Sequence, residues 1–145
     1  MCMTDIKLNH LAIVVDDMEA ALDFWRESLG LEQSGEIDSV PAEEVDVAFL
    51  SLGDARIELI QPTTDDSGVA KYLAKRGPGM HHLCLEVADL EAKLKALSAR
   101  GYELINETAR ERDGRRYAFI HPRSTGGVLL ELYEAAQVDR GADGK

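Results

Sequence analysis

The sequence predicts an α+β fold of two tandem βαβββ modules, forming a curved mixed sheet around a metal-binding cleft. Three observations predict it. At an offset of 72 residues "HLAIVVDDMEAAL", from His10, lies over "HLCLEVADLEAKL", from His82. In each copy strand-like alternation gives way to helical spacing at an aspartate, and a glycine then ends the helix ahead of further strands. Polar residues of metal-ligating type fall at matched strand positions of both copies.

A chain of 145 residues is one domain's worth and long enough to bury a core. We read a single domain, 1–145, with pseudo-repeats 8–60 and 80–133 and a linker, 61–79. The first copy opens with a strand over 8–15. Asp17 then suits an N-cap, because a short carboxylate accepts the free N–H groups of a first helical turn. Met18, Leu22 and Trp25 follow at helical spacing, and Gly30 suits the left-handed residue that ends a helix. Strands are expected over 31–37, 45–52 and 55–60, the last two joined by the turn "LGDAR". The linker carries a short helix near 68–75. The second copy repeats the order: a strand over 80–87, Asp89 as N-cap, Leu90, Leu94 and Leu97 on one helical face, Gly101 as the stop. Strands then follow near 102–107, 116–121 and 127–133, with "HPRSTGG" as the last loop.

Composition excludes several classes. A net charge of −11 repels nucleic acid and anionic membrane surfaces. The apolar runs fall well short of the ~20 residues that span a bilayer, and "MCMTDIKLNH" has no basic stretch ahead of a hydrophobic one, so a cytoplasmic protein is expected. Two cysteines, Cys2 and Cys84, make no disulfide framework, and Cys84 in an apolar strand reads as a buried thiol. The final "DRGADGK" is expected to fray. Positive charge is concentrated locally, in "ARERDGRR", at Arg123 and in "KYLAKR", which leaves room for an anionic small molecule.

Alternation assigns the polar residues to faces. Leu11, Ile13 and Val15 share the side under the helices and His10 falls opposite. Leu83, Leu85 and Val87 pack while His82 faces away. Ile57 and Leu59 pack while Glu58 faces away, and Val128, Leu130 and Leu132 pack while Glu131 faces away. If the duplicated sheets curve towards each other, His10, Glu58, His82 and Glu131 meet in one cleft. Two imidazoles and two carboxylates suit a divalent transition metal. His81, by the same parity, belongs to the helix side and reads as structural, and Gln61 shares the parity of Ile57 and Leu59 and is not counted as a ligand. Gly126 and Gly127 serve either a close backbone approach to a ligand or simply a turn.

These residues resemble the vicinal oxygen chelate (glyoxalase/bleomycin resistance/dioxygenase) superfamily over nearly the whole chain. Within it, "VAKYLAKRGPGMHHLCLEV" (69–87), "IELIQP" (57–62) and "FIHPRSTGGVLLEL" (119–132) resemble the methylmalonyl-CoA epimerase family. The resemblance implies a metal held by His10, Glu58, His82 and Glu131. Co2+ is favoured, with Mn2+, Ni2+ or Zn2+ as alternatives. It implies interconversion of the two epimers at C2 of an acyl-CoA, methylmalonyl-CoA, by proton abstraction through a stabilised enolate, and a homodimer. Glu131 is then the first acid/base. The family's second glutamate, on the strand matching "VDVAFL", corresponds to Val47 here, and Asp46 points the other way. Glu43 and Glu44, just before that strand, and a bound water are the remaining candidates. Arg123 and Ser124 are candidate anchors for substrate carboxylate or phosphate, and His121 is a candidate for the cleft mouth. Rival readings of the same fold are a lactoylglutathione lyase, which shares the four-ligand logic, and a non-enzymatic drug-binding protein, in which such ligands serve no purpose.

Overall fold

The computed structural model describes residues 6–136, so Cys2 and the segment 139–145 lie outside the described residues. The chain divides into two compact units, Leu8–Cys84 and, for the described residues, 85–136 with 6–7. Each is built from strands with helical cover, and parallel and antiparallel pairings both occur, giving the expected α+β class with a mixed sheet.

In Leu8–Cys84, β1 (Lys7–Val14) leads into α1 (Met18–Leu22), which continues as a wider π-helical stretch, Asp23–Ser28. Asp17 caps α1, accepting the Ala20 N–H at 3.2 Å. The wide stretch closes on the Leu29 N–H donating to the Phe24 carbonyl five residues back, and Gly30 follows at φ 99°. Strands β2 (Asp38–Val40), β3 (Val45–Leu52) and β4 (Ala55–Pro62) come next. Then α2 (Gly68–Arg76) is capped by the Ser67 hydroxyl and stopped at Gly77, and β5 (Gly79–Val87) begins here and ends in the other unit. The strand order in this unit is β2-β3-β4-β1-β5. β1 runs parallel to β4, with Ala12 beside Glu58, while β3 is antiparallel to β4, with Phe49 opposite Glu58.

Alternation gives this unit two apolar layers. On the α1 side Val15, Met18, Leu22, Ala48, Leu50, Ile57 and Leu59 are buried together, with Ile13 and Trp25 packed against them. On the other side Ala12, Val45, Val47 and Ile60 form a smaller cluster touched by Val69 of α2. The face expected to be free of helices is therefore covered at one end. At the other end of that face the polar residues are left.

In the other unit, α3 (Leu90–Ala99) is capped by Asp89, which accepts the Ala92 N–H at 3.1 Å. It ends in a paired 6→1 and 5→2 closure: Tyr102 N–H to the Leu97 carbonyl and Gly101 N–H to that of Ser98, with Gly101 at φ 87°. Leu90 and Leu94 pack on Val87, Ala118, Ile120 and Leu132, with Leu97 alongside. The strands are β6 (Arg110–Arg112), β7 (Arg115–Ile120) and β8 (Leu130–Glu134).

Three strand expectations need correction. The segment 31–37 makes only a single bridge, Gln33 to Leu50, because Gly35 at φ 76° breaks the extended run, and the regular strand is Asp38–Val40. The segment 102–107 likewise makes one bridge, Leu104 to Ile120, because the Asn106 side chain accepts the Phe119 N–H and takes the place of a ladder bond. The strand in this region is β6, joined to β7 by Asp113-Gly114, both at positive φ, as a two-residue hairpin of the mirror-image type requires. The last strand begins at Leu130 rather than 127. Gly126 and Gly127, at φ 77° and 106° with open space around them, make a turn, and Val128 is 45% exposed instead of packed.

Strands β7 and β8 are closed at one end by a forked ion pair. Arg116 donates to Glu134 through Nε at 3.0 Å and through a terminal nitrogen at 3.2 Å. Those hydrogen bonds, against some opposing burial, hold the Glu134 carboxyl below the usual carboxylate range. A carboxyl lowered on folding stabilises above its unfolded pKa, about 4.3 for glutamate, and that contribution is lost as the pH falls through the lower folded value. Glu134→Gln should therefore lower the Tm at pH 7, and the gap to wild type should close progressively below about pH 4; thermal melts across that range check it.

Candidate metal centre

Three neighbouring strands of Leu8–Cys84 each contribute one polar side chain to the same face. β1 supplies His10, β4 supplies Glu58 and β5 supplies His82, with β1 flanked by β4 and β5. Both histidines are buried, 7% and 8% exposed, and the Glu58 side chain is 15% exposed.

The donor atoms converge. The Glu58 carboxylate oxygen Oε1 lies 3.1 Å from His10 Nε2 and 3.9 Å from His82 Nε2, and the two Nε2 atoms are 3.2 Å apart. Two ligands bound to one transition metal at about 2.1 Å sit about 3.0–3.4 Å from each other at octahedral or tetrahedral angles. Two of the three edges match that spacing and the third exceeds it by a few tenths of an ångström. The donor set, two imidazoles and a carboxylate, is the one divalent transition metals favour.

The remaining nitrogens are also occupied. His10 Nδ1 is 2.6 Å from Asn9 Oδ1, and His82 Nδ1 is 2.8 Å from His81 Nδ1. Each ring is thus gripped on its far side with its near nitrogen facing the cluster. Phe49 meets His10 edge to face, 6.4 Å between centroids, and the Arg56 guanidinium lies over Phe49 at 4.0 Å, so an apolar wall and a distant cation bound this end. Burying a carboxylate among imidazoles is costly unless its charge is answered. A divalent cation would answer it.

Glu131 is placed in the other unit, on β8, and is 2% exposed. Its surroundings repeat those of Glu58 by register: Phe119 stands opposite Glu131 on β7 as Phe49 stands opposite Glu58 on β3. An Arg112 nitrogen lies 3.7 Å from its carboxylate, and the Arg112 guanidinium covers Tyr117 at 4.1 Å.

Among the acid/base candidates, Val47 packs in the apolar cluster with Ala12 and Ile60 and offers no proton. Asp46 accepts the Ser39 hydroxyl at 2.7 Å on the opposite face. Glu43 is exposed in the turn before β3. Glu44, at φ 58°, is tied to the segment after β4, its carbonyl accepting the Thr63 N–H at 2.8 Å and its carboxylate the Thr64 hydroxyl at 3.4 Å. The three substrate candidates share one loop. His121 Nδ1 caps the short 3-10 turn Pro122–Ser124, Ser124 Oγ accepts the Glu103 N–H at 2.7 Å, and an Arg123 nitrogen is 3.4 Å from the Glu103 carboxylate. Gln61, not counted as a ligand, accepts the Met18 N–H at 2.7 Å and secures the start of α1. His81, read as structural, touches His82 through its Nδ1. Sequence reasoning also passed over Asn9, although it is the repeat mate of His81.

Residues 9–119 match the family model of the glyoxalase/bleomycin resistance protein/dioxygenase superfamily. The mitochondrial methylmalonyl-CoA epimerase of Mus musculus is 37% identical over 131 residues, covering 89% of this chain and 73% of the relative. The chain belongs to the methylmalonyl-CoA epimerase family. It is thereby a member of a family of enzymes. The solved methylmalonyl-CoA epimerase of Mycobacterium tuberculosis superposes with a TM-score of 0.81 at 34% identity, covering 94% of this chain and 93% of that one. A methylmalonyl-CoA epimerase solved in complex with methylmalonyl-CoA and NH4+ superposes with a TM-score of 0.78 at 31% identity, covering 91% and 96%.

A site of this kind should stabilise the fold when filled. At about 100 times its Kd, Co2+ should add about 2.7 kcal/mol to wild-type stability. His10→Ala/His82→Ala should show no such gain, read as the Tm shift on adding Co2+ to chelator-treated protein.

Proposed function

We propose that this chain epimerises methylmalonyl-CoA at C2, using one divalent metal ion, Co2+ first among the candidates. The observation that carries this is the convergence of His10, Glu58 and His82 on one buried point in a chain of this family. Glu131 is the proposed fourth ligand, on the strength of its repeat position, its burial and its Phe119 register partner.

Bound there, the metal supplies Lewis-acid stabilisation of the negative charge that grows on the substrate's carboxylate and thioester oxygens. The chain's residues do the rest. The C2 proton lies between a carboxylate and a thioester, so its removal leaves an enolate. Glu131, buried and therefore shielded from bulk water, takes the proton on one face. Returning a proton to the other face inverts the centre, and Glu43, Glu44 or a bound water is the proposed donor. The ion pair with Arg112 keeps Glu131 oriented between the two proton transfers. The acyl-CoA carries several negative charges, and in a chain of net charge −11 these require local cations, for which Arg123 with Ser124 and His121 is the proposed loop.

Incubating Co2+-loaded protein with single-epimer methylmalonyl-CoA in D2O tests the reading. Deuterium should enter C2 as optical purity falls. Glu131→Gln should lower both rates by about 100-fold or more, the usual worth of a general acid/base. Comparison of Glu43→Gln and Glu44→Gln then separates the second donors, because loss of one face's donor depresses racemisation more than exchange. Absence of exchange above background, with turnover of methylglyoxal and glutathione instead, would overturn the assignment.

A further inference from the structure

Each histidine of the centre is gripped at its far nitrogen by the residue just before it, and those two residues are themselves repeat mates. Asn9 and His81 stand 72 positions apart, as His10 and His82 do. We infer that Asn9 and His81 are positioning residues that hold both imidazoles in the Nδ1–H tautomer, so that both Nε2 lone pairs face one cation. The inference rests on the metal reading above and extends it to the residues behind the ligands.

For His10 the chemistry is one-sided. An amide oxygen only accepts, so Asn9 Oδ1 at 2.6 Å places the proton on His10 Nδ1, and a neutral imidazole protonated there has a bare Nε2. For His82 the partner is a second imidazole, His81 Nδ1 at 2.8 Å, which accepts when its own proton is on Nε2. The His81 ring is held in place by Tyr72 of α2, with centroids 4.7 Å apart at 67°. Tyr72 in turn donates its hydroxyl to the Met80 carbonyl at 2.6 Å. The linker helix thereby reaches His82 through two aromatic rings.

The result is a pair of Nε2 lone pairs 3.2 Å apart. A cation between them would accept both. Were either ring in the other tautomer, an N–H would stand where the cation binds. Outer partners of ligating histidines characteristically set tautomer and ring orientation in this way.

Two readouts test this. Long-range 1H–15N correlation on metal-free protein at about pH 8 reads each tautomer directly. Wild type should show Nδ1–H at His10 and His82. His81→Phe, which keeps a ring against Tyr72 but has no nitrogen, should give His82 a mixed tautomer and weaken Co2+ binding about 10–100-fold. Asn9→Leu should do the same at His10 alone. His81→Asn, which offers an amide oxygen like that of Asn9, should restore both readouts. An Nε2–H tautomer at either histidine in wild type overturns the inference, as does His81→Phe with wild-type tautomers and affinity. Wild type with both Nδ1–H tautomers but no Co2+ uptake overturns the metal reading, and with it the purpose assigned to the positioning.

Discussion

Two imidazoles and a carboxylate meet on one face beside an apolar cluster, and the strands of Leu8–Cys84 are arranged so that they meet there. What makes the meeting reproducible is register. Parallel pairing of β1 with β4 sets Ala12 beside Glu58, and the period of two along each strand then puts His10 and Glu58 on one side of the sheet. A slip of one residue in either strand would turn one ligand into the helix-covered layer, where Leu50 and Leu59 leave no room for it. The hydrophobic layer under α1 therefore specifies the polar cluster as much as the cluster's own residues do.

The duplicated module explains why the chain carries the same elements twice. His10 and His82 come from equivalent strands, Glu58 and Glu131 from equivalent strands opposite equivalent phenylalanines, and Asn9 and His81 from the positions just behind the histidines. The copies differ where the chemistry differs. The Asn9 amide oxygen faces its histidine as an acceptor, whereas His81 is an imidazole tied into the linker helix through Tyr72. Val47 fills apolar space in one copy at the position where its register counterpart in the other, Tyr117, carries the Arg112 that reaches Glu131.

Much of this was legible in the sequence, and the rest was hidden for identifiable reasons. Alternation placed His10, Glu58 and His82 on one face because each lies mid-strand, where the period of two is undisturbed. Asp17, Asp89 and Gly101 declared the helix ends because capping is a local event involving a few neighbouring backbone groups. The errors arose where a side chain or a left-handed residue replaced a ladder bond: Gly35 and Asn106 interrupt runs whose apolar pattern reads as strand. The Asp113-Gly114 dipeptide is a hairpin signal lying within the charged run "ARERDGRR", which reads as a basic patch. His81 was read as structural because parity describes where a Cβ points. It does not describe where a ring nitrogen can reach, and His81 Nδ1 meets its neighbour's Nδ1 from the adjoining face.

The central claim is that His10, His82 and Glu58 hold a divalent metal. X-ray absorption at the cobalt edge, on protein loaded with one equivalent of Co2+, reads the ligands themselves. The account expects two imidazoles and oxygen donors at about 2.0–2.2 Å in wild type, and a single imidazole in His82→Ala. A shell of oxygen alone in wild type, or an unchanged imidazole count in the variant, would contradict it.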